Sequence, residues 1–207
     1  GGAPRVPRID HGFYISRTPV TNAEYARFVH ATGYVTTAEK EGSGLVYNPR
    51  SGSWDHVPGA DWRHPEGPES NIDGRIDHPV VQVSWHDAAA YAEWAGVQLP
   101  TEDQWEKAAR AIDGRLYPWG DIFDSARCNS GEDDIRTTTP VGLYSPHGDT
   151  PCDCADMAGN IWEWTATLWR AGSDSRVLRG GAFGSGARGV RCAFRRLSVP
   201  YIRGSDL

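Results

Sequence analysis

The stretch Asp156-Met157-Ala158-Gly159-Asn160-Ile161-Trp162-Glu163-Trp164, followed by Leu178-Arg179-Gly180-Gly181, decides how this chain is read. It sets an oxygen-rich turn against tryptophans, and the same combination runs through the chain. With 24 Gly and 14 Pro in 207 residues the chain is mostly loop, yet it holds nine Trp. Loops that carry large aromatics are packed loops rather than linkers. No internal repeat, low-complexity tract or charge run interrupts the pattern, so one continuous domain over 1–207 is expected. A chain of this length buries roughly 70% of its unfolded surface, enough for a core without staples.

Working outward, three helix starts are legible. Thr21-Asn22-Ala23-Glu24 is a capping box followed by Tyr25, Phe28 and Val29 at helical spacing. Ser84-Trp85-His86-Asp87 opens a second helix, with Ala88, Tyr91 and Ala95 on one face and Gly96 as its stop. Thr101-Glu102-Asp103-Gln104 opens a third, running through Trp105 to about Gly114. Short strands are expected over 13–17, 80–84 and 176–179. Two to three helices, few short strands and long ordered loops make an irregular α+β domain.

Composition excludes several functions. A net charge of −6 argues against a nucleic-acid surface, which needs a basic stripe. No run approaches the ~20 apolar residues of a membrane span. Gly1-Gly2-Ala3-Pro4-Arg5 has no signal-peptide core, and the compartment stays open. All basic side chains but Lys40 and Lys107 are arginine. Rigid donor forks for loop carbonyls and carboxylates account for that skew as well as biased genome composition does. Cys128, Cys152, Cys154 and Cys192 match no zinc spacing, which leaves disulfides and buried thiols equally open. The seven histidines show no His-x-x-x-His or His-x-His pair. Gly-x-Ser-x-Gly and P-loop motifs are absent as well. Two oxygen-rich segments, 129–134 and 156–163, suit a hard cation, which takes six to eight oxygens, many from turn carbonyls; for the first, a plain solvated acidic loop is the commoner explanation.

The chain resembles the formylglycine-generating-enzyme (sulfatase-modifying factor) family in a series of ordered motifs. These are Phe13-x-Ile15-x4-Val20-Thr21-Asn22-x2-Tyr25, the run Val57-Pro58-Gly59-Ala60-Asp61-Trp62-Arg63-His64-Pro65-Glu66-Gly67-Pro68, and His78-Pro79-Val80-Val81-x-Val83-Ser84-Trp85. Leu99-Pro100-Thr101-Glu102-x2-Trp105-Glu106, Tyr117-Pro118-Trp119-Gly120-Asp121 and the opening stretch complete the set. The resemblance implies a C-type-lectin-like α+β fold and calcium as a structural ion. One site would use carbonyls near Asp156, Gly159 and Ile161 with the carboxylate of Glu163; a second, shortened one would use Asn129 and Asp133. Family enzymes bind copper through two cysteines after the Arg-Gly-Gly turn, as soft thiolates. Here Ser185 stands at the first position and only Cys192 remains, so neither copper nor catalysis is expected.

The tail resembles variable proteins of diversity-generating retroelements, a subset in which the segment after Arg-Gly-Gly is rewritten by adenine-directed mutagenesis. The resemblance implies a variable region at 182–207 and a receptor-like function toward a protein or surface ligand. Its ligand-contacting positions would be Gly184, Ser185, Gly186, Gly189, Phe194, Arg196, Leu197, Ser198, Val199, Tyr201, Ile202, Gly204, Ser205 and Asp206. Fixed positions would be Arg188, Val190, Arg191, Cys192, Ala193, Arg195, Pro200 and Arg203. Mutagenesis of an asparagine codon ending in cytosine cannot give Lys, Glu, Gln, Met or Trp, and none occurs in 182–207. The alternative is a divergent oxidase acting on a protein or small thiol. On the variable-face reading Phe194, Leu197, Tyr201 and Ile202 are exposed, whereas Arg191 and Trp164 belong to the scaffold.

Overall fold

The computed structural model describes residues 9–48 and 51–207. Four helices begin where side chains can satisfy the first free N–H groups: α1 (Asn22–Thr32), α2 (Thr37–Glu41), α3 (Trp85–Trp94) and α4 (Glu102–Arg110). Each opens with a capping box, formed by Thr21 with Glu24, Thr36 with Glu39, Ser84 with Asp87 and Thr101 with Gln104. The cap oxygen accepts the N3 amide while the N3 side chain accepts the cap amide. The expectation of two to three helices missed α2, whose five residues are too few to show a hydrophobic period. The third expected helix ends at Arg110, short of Gly114, because Ala111 takes φ 54° and leaves the helical path.

β1 (Ser43–Asn48) and β2 (Ser53–Pro58) form an antiparallel hairpin. β3 (Glu163–Leu168), β4 (Arg176–Arg179) and β5 (Arg196–Ser198) form a second antiparallel sheet in that order. The strand expected at 176–179 is β4. Segments 13–17 and 80–84 are not strands. Arg17 gives its carbonyl to Ala155, and Ile15 packs beside Trp105. In 80–84 the amides of Val80, Gln82 and Val83 donate to Val20, Gly204 and Leu207 in turn. Val20 lies on one segment and Gly204 and Leu207 on another, so no ladder forms although Val80, Gln82 and Val83 all find acceptors.

Aromatic loops close the core around this frame. Tyr25, Phe28 and Trp62 pack with Val80 and Val83, while Trp105 packs with Ala109, Met157 and Cys192. Trp162, Trp164 and Leu178 gather Leu207 from the chain's last turn. Among the described residues no helix is long and apolar enough to cross a membrane.

Arg179, at the end of β4, is 0% exposed. Its guanidinium pairs with Glu106 on α4, lies over the Trp105 ring at 5.2 Å, and donates to the carbonyls of Ala193 (3.3 Å) and Phe194 (3.1 Å). One buried charge thus joins helix, sheet and the returning tail. Removing one member of a buried pair leaves the other uncompensated, so Arg179→Ala should lower unfolding free energy by about 3–5 kcal/mol in urea titration. Arg27→Ala, at an exposed pair 4.0 Å from Glu24, should cost no more than about 1 kcal/mol.

Candidate functional site

The tail leaves β4 through Gly180-Gly181 and crosses three supports before it ends on the β1–β2 hairpin. The first is the loop after Asn129, where the Gly131 amide donates to Ser185 O (2.9 Å) and the Ala187 amide to Glu132 Oε1 (3.1 Å). The second is the loop at Tyr117, whose hydroxyl donates to Ala187 O at 3.2 Å; Cys192 N donates to Leu116 O nearby. The third is the floor around Trp162, whose ring lies 6.0 Å from that of Phe194. At the far end Leu45 N donates to Arg203 O, Ser205 N to Leu45 O, and the Arg203 guanidinium reaches Ser43 O and Glu41.

These contacts divide the expected ligand-binding positions. Gly184, Gly186, Arg196, Leu197 (49% exposed) and Tyr201 (54% exposed) face solvent. Ser185, Gly189, Phe194, Ser198, Val199, Ile202 and Asp206 are half-buried. Gly204 and Ser205 are buried against the hairpin and do not belong to an exposed face. Phe194 and Ile202 pack on the Trp162–Trp164–Leu207 cluster, which corrects their expected full exposure. Of the fixed positions, Val190, Cys192 and Arg203 are buried, as a scaffold requires, whereas Arg188, Arg191, Ala193 and Arg195 are exposed. Arg191 is therefore not a core residue; its guanidinium donates to the Tyr117 hydroxyl at 3.5 Å.

An open depression of about 720 Å³ lies on this face, lined by Glu132, Gly186, Ala187, Arg188, Gly189 and Phe194. Glu132, Ala187 and Arg188 were outside the sequence-based set. The signal available for the neighbouring support was the Tyr117-Pro118-Trp119 motif, whose two rings stack at 5.5 Å.

The thiol chemistry is limited. All four cysteines are free, with Cys128, Cys154 and Cys192 buried and Cys152 exposed. Cys192 is 0% exposed, its Sγ donates to Ala109 O at 3.6 Å, and burial pushes its pKa up to about 12. Ser185 Oγ accepts the Ala182 amide at 3.0 Å, closing a local turn. No thiolate pair is formed by these two positions.

Two loops carry the oxygens that the sequence assigned to a hard cation. Asn129 is 0% exposed, and its Nδ2 donates to Thr137 O (2.8 Å), Thr139 Oγ1 and Asn160 Oδ1. Those acceptors fix the amide's orientation and turn Oδ1 the other way. Asn129 Oδ1 and Asp133 Oδ2 are both shielded from solvent and accept no hydrogen bond among the described residues. Buried acceptors are rarely left so, and two on one loop suit an ion better than a further donor.

The second cluster is the 156–163 turn, held by Asn160 N donating to Asn129 O (2.8 Å) and Gly159 N to Gly180 O (2.9 Å). Gly159 has φ 81°, and a Cβ there would sit 2.1 Å from Asn129 O, so only glycine permits the approach. Glu163 Oε2 accepts from Trp105 Nε1 at 3.0 Å. Ile161 O and Glu163 Oε1 face the same space, 3.6 and 3.7 Å from where a Gly180 Cβ would lie. Burial, reinforced by the Asp156 charge, pushes the Glu163 pKa up to about 7 against the Trp105 hydrogen bond. Burial likewise pushes Asp156 up to about 6. The Asp156 carboxylate accepts the Gly142 amide through Oδ2 at 2.6 Å. Among the described residues no three His, Cys, Asp or Glu side chains converge, so carbonyls would supply most ligands.

The sulfatase-modifying factor enzyme 1-like domain is the family model that matches, over residues 3–207. The chain is 43% identical over 187 residues to a formylglycine-generating enzyme of Thermomonospora curvata, covering 77% of this chain and 61% of that protein. It is 39% identical over 197 residues to a mouse protein named inactive C-alpha-formylglycine-generating enzyme 2, covering 83% of this chain and 63% of the other. It thus spans about three-fifths of the length of these relatives. Among solved structures, Treponema denticola variable protein 1 superposes with a TM-score of 0.59 at 18% identity, covering 79% of this chain and 88% of that one. That likeness is one of fold, the loop-rich C-type-lectin-like variant.

Ion and surface are separately testable. Chelation should lower the melting temperature, and calcium at 100 times its Kd should stabilise by about 2.7 kcal/mol. Glu163→Ala and Asp133→Asn should each remove part of that response and together all of it; a melt indifferent to calcium in wild type would return both loops to a purely structural role. In the tail, Leu197→Ser and Tyr201→Ser should change stability by no more than about 0.5 kcal/mol. Phe194→Ser and Ile202→Ser should be visibly costlier, toward the ~2–5 kcal/mol of a truncated core residue. Equal melts for all four variants would mean that the packing around Trp162 does not divide this face.

Proposed function

The chain belongs to the sulfatase-modifying factor family, and within it we propose a non-catalytic binding protein that presents part of 184–202 to a protein or surface ligand. The observation that carries this reading is the missing thiolate pair. Ser185 occupies the position of the first copper cysteine, and Cys192 is directed into the core against Ala109 with its pKa held near 12. Soft thiolates are what copper(I) selects, and a single buried thiol offers neither the charge nor the access.

The exposed face supports recognition. Leu197 and Tyr201 are large apolar side chains in solvent, and Arg188, Arg191 and Arg196 on the same tail are exposed as well. Aromatic and arginine anchors of this kind usually supply most of an interface's binding energy. The tail's restricted alphabet over 182–207 supports diversification by a retroelement, and a protein named as variable shares the fold. Calcium fits as a structural ion that would hold the 129–133 and 156–163 loops beneath the face.

The competing reading is a divergent oxidase, favoured by the 43% identity to a formylglycine-generating enzyme. The two readings separate by mass spectrometry. A cysteine-containing sulfatase peptide incubated with the full chain and copper should retain its thiol. Appearance of the aldehyde would overturn the binding-only reading.

A further inference from the structure

Resting on the calcium reading above, we propose that cation occupancy of the 129–133 loop sets the conformation of the recognition face at 184–189, making ligand recognition at that face cation-dependent. The loop and the face are adjacent through backbone contacts rather than through flexible side chains. Gly131 N donates to Ser185 O at 2.9 Å, and Ala187 N donates to Glu132 Oε1 at 3.1 Å. Both tethers leave residues that lie between Asn129 and Asp133, the two positions whose buried oxygens lack a partner. A Cβ on Gly131 would lie 3.1 Å from Gly184 O, so the two backbones are already in contact and a shift of one displaces the other.

The same segment has little else to hold it. Gly184, Gly186 and Gly189 contribute no side chains, and the Arg188 side chain makes no hydrogen bond or ion pair among the described residues. Among the described residues its other hydrogen bonds are local, Ser185 N to Ala182 O, Ala182 N to Ser185 Oγ and Gly189 N to Gly186 O, together with the Tyr117 hydroxyl on Ala187 O. Glycine-rich chain of this kind carries high conformational entropy, which only external contacts remove. The loop that supplies two of them contains uncompensated oxygens. Without a cation those oxygens favour conformations that reach water, and Gly131 and Glu132 move with them. A bound cation holds Asn129 and Asp133 together and so keeps Gly131 and Glu132 where Ser185 and Ala187 need them. The coupling needs no change in the rest of the fold, because order at one element is a precondition for order at the next.

Hydrogen–deuterium exchange on the full chain tests this, with calcium alone as the probe and calorimetry reporting its binding in parallel. In wild type, calcium should slow exchange about tenfold at 184–189 as well as at 129–136. Asp133→Asn should abolish both effects and remove the part of the calorimetric signal that belongs to this loop, leaving that of the 156–163 turn. Glu132→Ala, which removes the acceptor for Ala187 without touching Asn129 or Asp133, should still bind calcium and protect 129–136, but should lose most of the protection at 184–189. The proposal is overturned, with the calcium reading intact, if calcium binds and protects 129–136 in wild type while 184–189 exchanges unchanged. It is likewise overturned if Glu132→Ala transmits protection as fully as wild type. An absence of any calcium-binding heat would overturn the calcium reading, and this coupling with it.

Discussion

Arg179 is a full positive charge with no route to water, and most of the architecture is arranged around that fact. Burial pulls its pKa down, and the Glu106 carboxylate opposes the pull. Removing a guanidinium from water costs several kcal/mol unless charge and hydrogen bonds replace the lost hydration. Here Glu106 supplies the charge, the Trp105 face a polarisable wall, and the carbonyls of Ala193 and Phe194 the remaining acceptors. Satisfying this one side chain therefore fixes the distance from α4 to β4 and anchors the middle of the tail. Its Nε lacks a partner, so the arrangement trades some stability for a defined geometry.

Arginine does similar work elsewhere, at lower stakes. Arg176 stacks 3.8 Å from Trp85 while donating to Ala166 O, and Arg195 stacks on Trp169 while pairing with Glu102. A planar fork can stack and donate at once, which suits a fold whose loops expose many carbonyls. The near-absence of lysine thus has a structural use in this molecule. The tryptophans provide the complementary surface, since each covers apolar area and still has one N–H to place. Trp85, Trp105, Trp119 and Trp164 all donate, to Thr165 O, Glu163, Ile122 O and Val83 O.

The tail is held at both ends and partly exposed between them. The final residues are pinned to the hairpin by Leu45, Ser43 and Glu41, and the first tail residues to the 129–133 loop. Between these fixed ends, substitutions at exposed positions such as Leu197 and Tyr201 alter the surface without altering the supports. Half-buried Phe194 and Ile202 contribute to both, so they set how much of the tail can vary freely. An oxidase would need this same segment to hold a metal in one fixed geometry. The side chains present serve packing at Cys192 and a local turn at Ser185 instead.

What the sequence determined by itself was local and chemical. Helix starts at Thr21, Ser84 and Thr101 were legible because a capping box is a contact between residues three apart, and β4 because its apolar residues are contiguous. The ordered motifs identified the family, and Ser185 in place of a cysteine bore directly on its chemistry. Segments 13–17 and 80–84 looked like strands by composition, but their backbone groups pair with distant segments, Arg17 O with Ala155 and the amides of Val80, Gln82 and Val83 with Val20, Gly204 and Leu207, a pattern that no local period encodes. The exposure of the tail was likewise undecided, because its apolar residues follow neither a period of two nor of 3.6. Only tertiary contacts separate Leu197 and Tyr201 from Phe194 and Ile202, since the Trp162 cluster that receives the latter pair is built from distant parts of the chain. The same holds for the oxygens of Asn129, Asp133, Ile161 and Glu163. Their identities were readable, but their burial, which leaves Asn129 Oδ1 and Asp133 Oδ2 without a donor among the described residues, depends on how the loops fold against Gly180 and Thr139.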